Sequence, residues 1–405
     1  MLARNQAAYH HPPTPSYIFR GHTAGIHALH FLPHNHFFVS GDADGWVIIW
    51  RLTTRRAAAV WKAHDGSVSG VKHWSSSDRT GTILITHGRD HKLRVWQLPK
   101  DDQSWNQLST ELPVDSVQAS EEQKQPWLVH SMDVNALNFC AFSICLAPEV
   151  RSSQEARDYH SLLVASPNAM DNGGIDIFQL PSEVRVSKLQ ADKAANTGMV
   201  MTLRIIQSSN IEKLMLVVGY EDGSVAVYAR KDQNVMPVWI WERLMLNRVH
   251  MQPVLSLDIE LGHDFLVTSS ADATLAKFPL PKVKVVGKAE ASKVVATKHS
   301  GQQDLKIRGD GRIFATAGWD KHVRVYSAKT LKELAVLQWH REGCYALAFA
   351  NISVLGEPAA APKKELIEAR SGLEKMKQER DEKVHNTHWL IAGSKDGKIS
   401  LWDVY

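Results

Sequence analysis

Apolar positions along this chain alternate with polar ones instead of recurring at helical spacing. In "ALHFL", Leu29 and Phe31 share one face, and in "WVIIW" Trp46, Ile48 and Trp50 share another, as the two-residue period of a strand requires. Turn-forming residues punctuate these runs. "RGH" precedes one strand, "LPHN" separates two, and "GDADG" precedes the last, because Gly, Asn, Asp and Pro supply the backbone conformations of tight turns. Residues 17–52 therefore predict a unit of about four strands.

The unit returns from one end of the chain to the other. Seven times an acidic or amide residue stands six positions before an aromatic one: Asp44 with Trp50, Asp90 with Trp96, Asn172 with Phe178, Asp222 with Tyr228, Asp272 with Phe278, Asp320 with Tyr326, and Asp396 with Trp402. A fixed offset of this kind marks a repeat architecture. It overrides the two or three domains that 405 residues would otherwise suggest, since a ring of like units forms one domain. Asp and Asn tolerate turn geometry, and the glycine that follows in Asp44-Gly45, Asp222-Gly223 and Asp396-Gly397 accepts a positive φ. The aromatic then packs between neighbouring sheets, where a large flat side chain contributes most.

Histidines recur upstream at His22, His64, His130, His250, His299 and His340, and a hydroxyl stands four positions before the Asp at Ser40, Thr86, Thr268 and Thr316. The expected internal chain runs Asp to His to Ser/Thr to Trp: Asp44, His22, Ser40 and Trp50 in the first unit, and Asp90, His64, Thr86 and Trp96 in the second. Asp272, Asp320, Asp396 and Trp402 hold the same places later. A Ser-His-Asp catalytic triad uses these residue types too, but a triad is needed once, at a cleft. Repetition with substitutions, inside strands, fits a buried network that rigidifies each unit.

These units resemble WD repeats, in which "GH", strands, an Asp and a closing "WD" mark one blade of a β-propeller. Trp402-Asp403 is the literal dipeptide in register, whereas in Trp319-Asp320 the Asp is the turn residue of its unit. Asn172 replaces Asp, Tyr or Phe replaces Trp in four units, and the fourth unit has no assignable His. The expected fold is all-β: a single seven-bladed WD40-type β-propeller. The last unit stops after its third strand, at "ISLWDVY", and "SYIFR" at 16–20 is expected to pair there and close the ring, which removes both open edges.

Spacing shows where extra material lies, because the steps Asp90 to Asn172 and Asp320 to Asp396 are much longer than the others. The expected organisation is a tail over 1–15, the propeller over 16–405, a polar loop insertion over 97–124 and a charged insertion over 357–387 inside blade seven. From Lys363 to Lys383 basic and acidic side chains are nearly balanced, which reads as a solvated helix with pairs such as Glu379 with Lys383. Leu366, Ile367, Leu373 and Met376 form a thin apolar stripe. It suits either a flexible charged loop or solvent helix, or a docking helix for a partner.

Composition removes several classes of function. The formal net charge of +4 is too small to argue for nucleic-acid binding, and short basic clusters such as "TRR" at 54–56 and "PKVKVVGK" at 281–288 read as solvated surface. Cys140, Cys145 and Cys344 lie in apolar stretches, as buried thiols of a reducing compartment do. No run approaches the roughly 18 apolar residues of a membrane helix, and the N-terminus lacks the apolar core of a signal peptide, so a cytosolic or nuclear location is expected. There is no phosphate-cradling glycine loop, and "GSVSG" at 66–70 has Val68 where a hydrolase has its serine. His27 with His30, or His34 with His36, lacks the Cys or acidic neighbours of a metal site. No catalytic residue, metal or cofactor is expected, and function is sought on the surface. Trp46, Arg89, His91, Trp319 and Lys321 are large side chains in turns that small polar residues would serve, so they are candidate partner contacts; Trp46 could equally cover a neighbouring blade.

Longer stretches are more specific. "GDADGWVIIWRL", "ITHGRDHKLRVWQL", "VNALNFCAFS", "TSSADATLAKFPLP" and the block over 297–350 resemble the ASTRA-associated protein 1 family, fungal WD-repeat proteins related to a G-protein-β-like protein of animals. The resemblance implies a non-catalytic scaffold subunit of the nuclear ASTRA complex, linked to chromatin regulation and to maturation of phosphatidylinositol-kinase-related kinases. Its implied partners are a kinase-related scaffold, a Tel-Tti-type co-chaperone and RuvB-like ATPases, with the nucleus as the implied location and the cytoplasm as the second one. Two other classes share the fold. A G-protein β subunit needs an N-terminal helix that residues 1–16, with three prolines, do not form. A histone or modified-peptide reader leaves no linear trace, since an aromatic cage is a tertiary arrangement.

Overall fold

The computed structural model describes residues 13–404 apart from 76–80, 116–123, 138, 148–160, 209–212, 232–238, 282–289 and 353–371. Leu366, Ile367, the basic stretch at 282–288 and most of the expected N-terminal tail lie outside the described residues, as does the side chain of Leu373.

Strand β1 (Tyr17–Arg20) precedes blade one, which holds β2 (Ile26–Phe31), β3 (Phe37–Asp42), β4 (Trp46–Arg51) and β5 (Arg56–Lys62). Blade two follows with β6 (Val68–Ser75), β7 (Thr82–Gly88), β8 (Lys92–Gln97) and β9 (Trp127–Asp133). Blade three has β10 (Ser143–Leu146), β11 (Leu162–Pro167), β12 (Ile175–Leu180) and β13 (Val184–Leu189). Blade four has β14 (Val200–Ser208), β15 (Lys213–Tyr220), β16 (Ser224–Arg230) and β17 (Trp241–Arg248). Blade five has β18 (Val254–Ile259), β19 (Phe265–Ser270), β20 (Thr274–Pro279) and β21 (Lys293–Ala296). Blade six has β22 (Gln302–Ile307), β23 (Ile313–Gly318), β24 (His322–Ser327) and β25 (Glu333–Gln338). Blade seven contributes β26 (Cys344–Phe349), β27 (Trp389–Ser394) and β28 (Lys398–Asp403). Each blade is a four-stranded antiparallel sheet, and the fourth strand of blade seven is β1.

That closure follows the sequence expectation. Tyr17 pairs with Leu401 and Arg20 with Lys398, while Phe19 is buried in the wedge between blades seven and one. Seven apolar clusters occupy the seven gaps between adjacent blades. Strand alternation sorts residues between them: Trp46, Ile48 and Trp50 face blade seven, and Val47 and Ile49 face blade two. Both faces of a blade are thus buried, which is why its middle strands are almost wholly apolar.

The inner strands are also tied to each other by side chains. Asp258 accepts the Ile307 N–H at 2.8 Å, Asp304 accepts the Leu347 N–H at 2.9 Å, and Ser143 accepts the Ile205 N–H at 3.1 Å. Each of these bonds crosses from one blade to the next and satisfies a backbone donor that the blade's own ladder leaves over.

The loop insertion of blade two is a strap across blade one. Its helix α1 (Asp102–Trp105) places Trp105 in a stack on Phe37, with ring centres 4.9 Å apart. Further along, the Ser109 carbonyl accepts the Val60 N–H at 2.7 Å, covering the outer edge of blade one as exposed edges require. The insertion of blade seven ends in helix α2 (Gly372–Asn386). It docks through Val384, buried in the same wedge as Phe19, and the Trp389 indole donates to the Val384 carbonyl at 3.2 Å. Met376, the expected apolar stripe residue, remains exposed. Among the described residues Lys383 is not ion-paired with Glu379; Gln378 instead donates to Glu382.

Candidate partner-binding faces and the blade clasps

In blade two the expected chain is present in full. His64 lies 2.9 Å from Asp90 and 2.8 Å from Thr86, whose hydroxyl accepts the Trp96 indole N–H at 3.0 Å. Blade one corrects the expectation for its carboxylate. His22 sits 2.7 Å from Asp42 and 2.7 Å from Ser40, which accepts the Trp50 indole at 2.9 Å. Asp44 is exposed in the turn, and its N–H donates to Asp42 at 3.0 Å. The reason is space. Asp42 ends β3 two residues before the turn aspartate, where blades two and six have Gly88 and Gly318. A Cβ at those glycines would lie 2.5 Å from an Asp90 oxygen and 2.3 Å from an Asp320 oxygen. Only one carboxylate fits, and in blade one it comes from the strand end.

The other blades vary the theme. In blade five His250 reaches Thr268 at 2.9 Å and Asp272 at 3.4 Å. In blade seven His340 lies 3.3 Å from Asp396, but the hydroxyl is Ser400, 2.8 Å from His340 and accepting the Trp402 indole at 2.8 Å. Ser400 pairs directly with Ala392, the position where other blades place their hydroxyl, and cross-strand partners share one face. Blade six breaks the pattern: His299 is 3.8 Å from Asp320, and Arg324 grips both oxygens of Asp320 at 3.1 and 2.5 Å. His130 belongs to no clasp and pairs with Glu183 at 2.6 Å. Its expected place is filled by Asn135, whose amide donates to the Asn168 carbonyl at 2.8 Å. In blade four Asp222 accepts its own turn's Ser224 N–H and hydroxyl.

Burial alone would raise the carboxyls of the clasps. Their His or Arg partners and turn N–H groups outweigh it, holding Asp90, Asp272, Asp320 and Asp396 below the ordinary range. Burial lowers His64 more than Asp90 raises it. These are bonded, enclosed groups, and the three cysteines are equally inert: burial pushes the Cys140 and Cys145 thiols up to about 12 and Cys344 higher still. Among the described residues, no three His, Cys, Asp or Glu side chains gather to hold a metal ion, and no helix is long and apolar enough to cross a membrane.

Titratable groups on the inner strands of five blades meet around the channel. His30 and His73 are hydrogen-bonded at 2.7 Å. Beside them burial, Arg204 and Lys306 pull Lys72 down to about 7, against the opposing pull of Asp258 and Asp304. Arg204 pairs with Asp258 at 3.4 Å, and Lys306 pairs with Asp304.

The propeller has two unlike faces. One carries the clasp turns and the links between blades. There Arg89, His91, Trp319 and Lys321, the candidate partner contacts, are exposed, whereas Trp46 is buried between blades one and seven at 9% exposure. Trp46 covers the neighbouring blade. His91 and Lys321 hold φ of 61° and 68° where Gly45, Gly223 and Gly397 stand in other blades, so each large side chain occupies a position that glycine would fill with less strain. Gly45 has no such choice, because a Cβ there would lie 1.9 Å from the His64 carbonyl. The same face exposes Leu137, Phe139, Met170 and Met251, and Arg89 lies over the Phe139 ring at 5.0 Å. Strand reasoning missed these four. The available signal was an apolar residue inside a turn, as in Met170 amid "SPNAMDNGG" and Met251 directly after His250. The other face carries both insertions.

Comparison with known proteins agrees with this architecture over nearly its whole length. The family model described as ASTRA-associated protein 1 matches residues 15–402. The chain is 45% identical to ASTRA-associated protein 1 of Aspergillus niger, covering 100% of both chains, and 47% identical to that of Aspergillus flavus over 97% of this chain and 98% of the relative. A more distant relative, ASTRA-associated protein 1 of Schizosaccharomyces japonicus, is 30% identical over 97% of this chain and 99% of its own.

Proposed function

The chain belongs to the ASTRA-associated protein 1 family, and from that premise we propose that it is a non-catalytic scaffold subunit of a nuclear ASTRA-type assembly. In this role it holds other proteins together and takes part in chromatin regulation and in the maturation of phosphatidylinositol-kinase-related kinases. Its partners are a kinase-related scaffold, a Tel-Tti-type co-chaperone and RuvB-like ATPases. The observation that carries the reading is family membership from residue 15 to residue 402. The polar chemistry supports it, because the His, Asp and Ser/Thr groups that resemble a triad are spent inside the blades. That leaves exposed aromatic, Met and Arg side chains, which suit protein contacts.

The test is affinity purification of the tagged chain from nuclear extract, followed by mass spectrometry. Recovery of the co-chaperone and RuvB-like ATPases in stoichiometric amounts is the expected result. Recovery of a G-protein-γ-like subunit, or of nucleosomes alone, would overturn it. Charge reversal at Arg89 together with Lys321→Glu then asks whether the clasp-turn face makes the contact, with thermal melting as the control for folding.

A further inference from the structure

The two insertions arise in different blades, yet they converge on the same side of blade one. Between them lie two adjoining cavities of about 790 and 900 Å³. They share Arg51, Thr53, Thr54, Trp105 and Arg380, so they form one continuous groove. One wall is the turn between β4 and β5, the other is helix α2, and the strap from blade two supplies the floor.

The floor and the rims differ in chemistry. The floor is the stack of Trp105 on Phe37, with Leu108 beside it and Met376 exposed at the rim. The rims carry Arg55, Arg56, Lys100, Arg380 and Lys383 against two carboxylates, Asp101 and Asp381. Asp101 is already engaged by the Ser104 N–H and hydroxyl at 2.8 and 2.9 Å. Among the described residues Arg55, Arg56, Arg380 and Lys383 have no ion-pair partner. The Arg55 guanidinium lies over the Tyr17 ring at 4.7 Å, a packing that fixes the plane of its fork and leaves its N–H edges for a carboxylate.

We propose that this groove binds an acidic peptide segment of a partner protein, its carboxylates on the arginine rims and one apolar side chain over the Phe37 and Trp105 floor. The charge imbalance asks for an anion, and the apolar floor asks for a side chain. Nucleic acid fits less well, because the chain as a whole carries a formal net charge of only +4. The proposal deepens the scaffold reading, and rests on it, by giving the partner a chemistry.

The experiment is fluorescence anisotropy with the full chain and a short fluorescein-labelled peptide of Asp and Glu residues around one Trp. Saturable binding that weakens as salt rises is expected. The double variant Arg56→Glu with Arg380→Glu, both exposed in the free protein, should bind at least about tenfold more weakly with an unchanged melting temperature. Replacing the peptide's Trp by Ser should also weaken binding to the wild type. Equal binding by the double variant, or no saturable binding, overturns the proposal. So does tighter binding of a single-stranded oligonucleotide that the same variant abolishes, or self-association of the chain that the variant removes. A chain that recovers the expected assembly from extract yet ignores the peptide keeps the scaffold role and loses this groove.

Discussion

Blades one and six carry the same ladder, a turn aspartate and a hydroxyl at the same ladder position, yet their polar interiors are unlike. In blade one His22 bridges Asp42 and Ser40, and Ser40 takes the indole N–H of Trp50. In blade six Arg324 holds Asp320, His299 stands half-exposed beside it, and the closing aromatic is Tyr326, stacked on Phe314 with ring centres 5.1 Å apart. Both blades nonetheless fill an apolar wedge on each side. The wedge is what every blade has in common. The polar chain is a local solution to the donors and acceptors that burial creates, and it differs wherever those groups differ.

The largest test removes what blade six never needed. Deleting residues 1–20 takes β1 from the edge of blade seven and Phe19 from the wedge beside blade one, and should cost about 5 kcal/mol or more in chemical denaturation. A truncated chain that melts like the full one would show that closure is dispensable. The second test stays within blade one. Asp42→Ala leaves His22 buried without its partner and should cost about 3 kcal/mol, whereas Asp44→Ala, and His299→Ala in blade six, should stay within about 0.5 kcal/mol. A reversed order would return the clasp to Asp44.

Blade seven sharpens the comparison, since its hydroxyl comes from the opposite strand. Ser400→Ala strands both the His340 and Trp402 nitrogens and should cost about 2 kcal/mol, while Ala392→Ser in that background should recover part of the loss if only the position in space matters. The smallest effect per step is that of acid. Burial first, with neighbouring Lys72 and His64 respectively, pulls His73 and His87 down to about 4. Because their folded values lie below the unfolded value near 6.5, the unfolded chain takes the proton first. Their stabilising contribution is complete above that value and is lost as pH falls toward 4, by about 1.4 kcal/mol per pH unit for each group. Hydrogen exchange between pH 7 and pH 5 should therefore loosen β6 and β7 of blade two before β23 and β24 of blade six. Uniform loosening around the ring would contradict it.

Much of the architecture is legible along the chain because its causes are local. Alternating side chains, turn residues and a recurring offset set the strands, the number of blades and the pairing of residues 17–20 with the last strand; each depends on near neighbours or on an unpaired edge. The insertions were legible as extra length and charge. Their placement was not, since Trp105 finds Phe37 and Val384 finds Phe19's wedge across large sequence separations. The exposed Met170 and Met251 were hidden for a related reason: exposure belongs to the assembled ring.

The clasps divide along the same line. A sequence with this repeat announces that several blades will bury a histidine, a carboxylate and a hydroxyl near the closing aromatic, because those residue types recur at nearly constant offsets. Which atoms meet is settled by space. A carboxylate two positions early fills the site in blade one, a serine on the facing strand serves blade seven, and an arginine displaces the histidine in blade six. Cross-strand neighbours and close-packed glycines create those alternatives, and neither has a fixed distance along the chain.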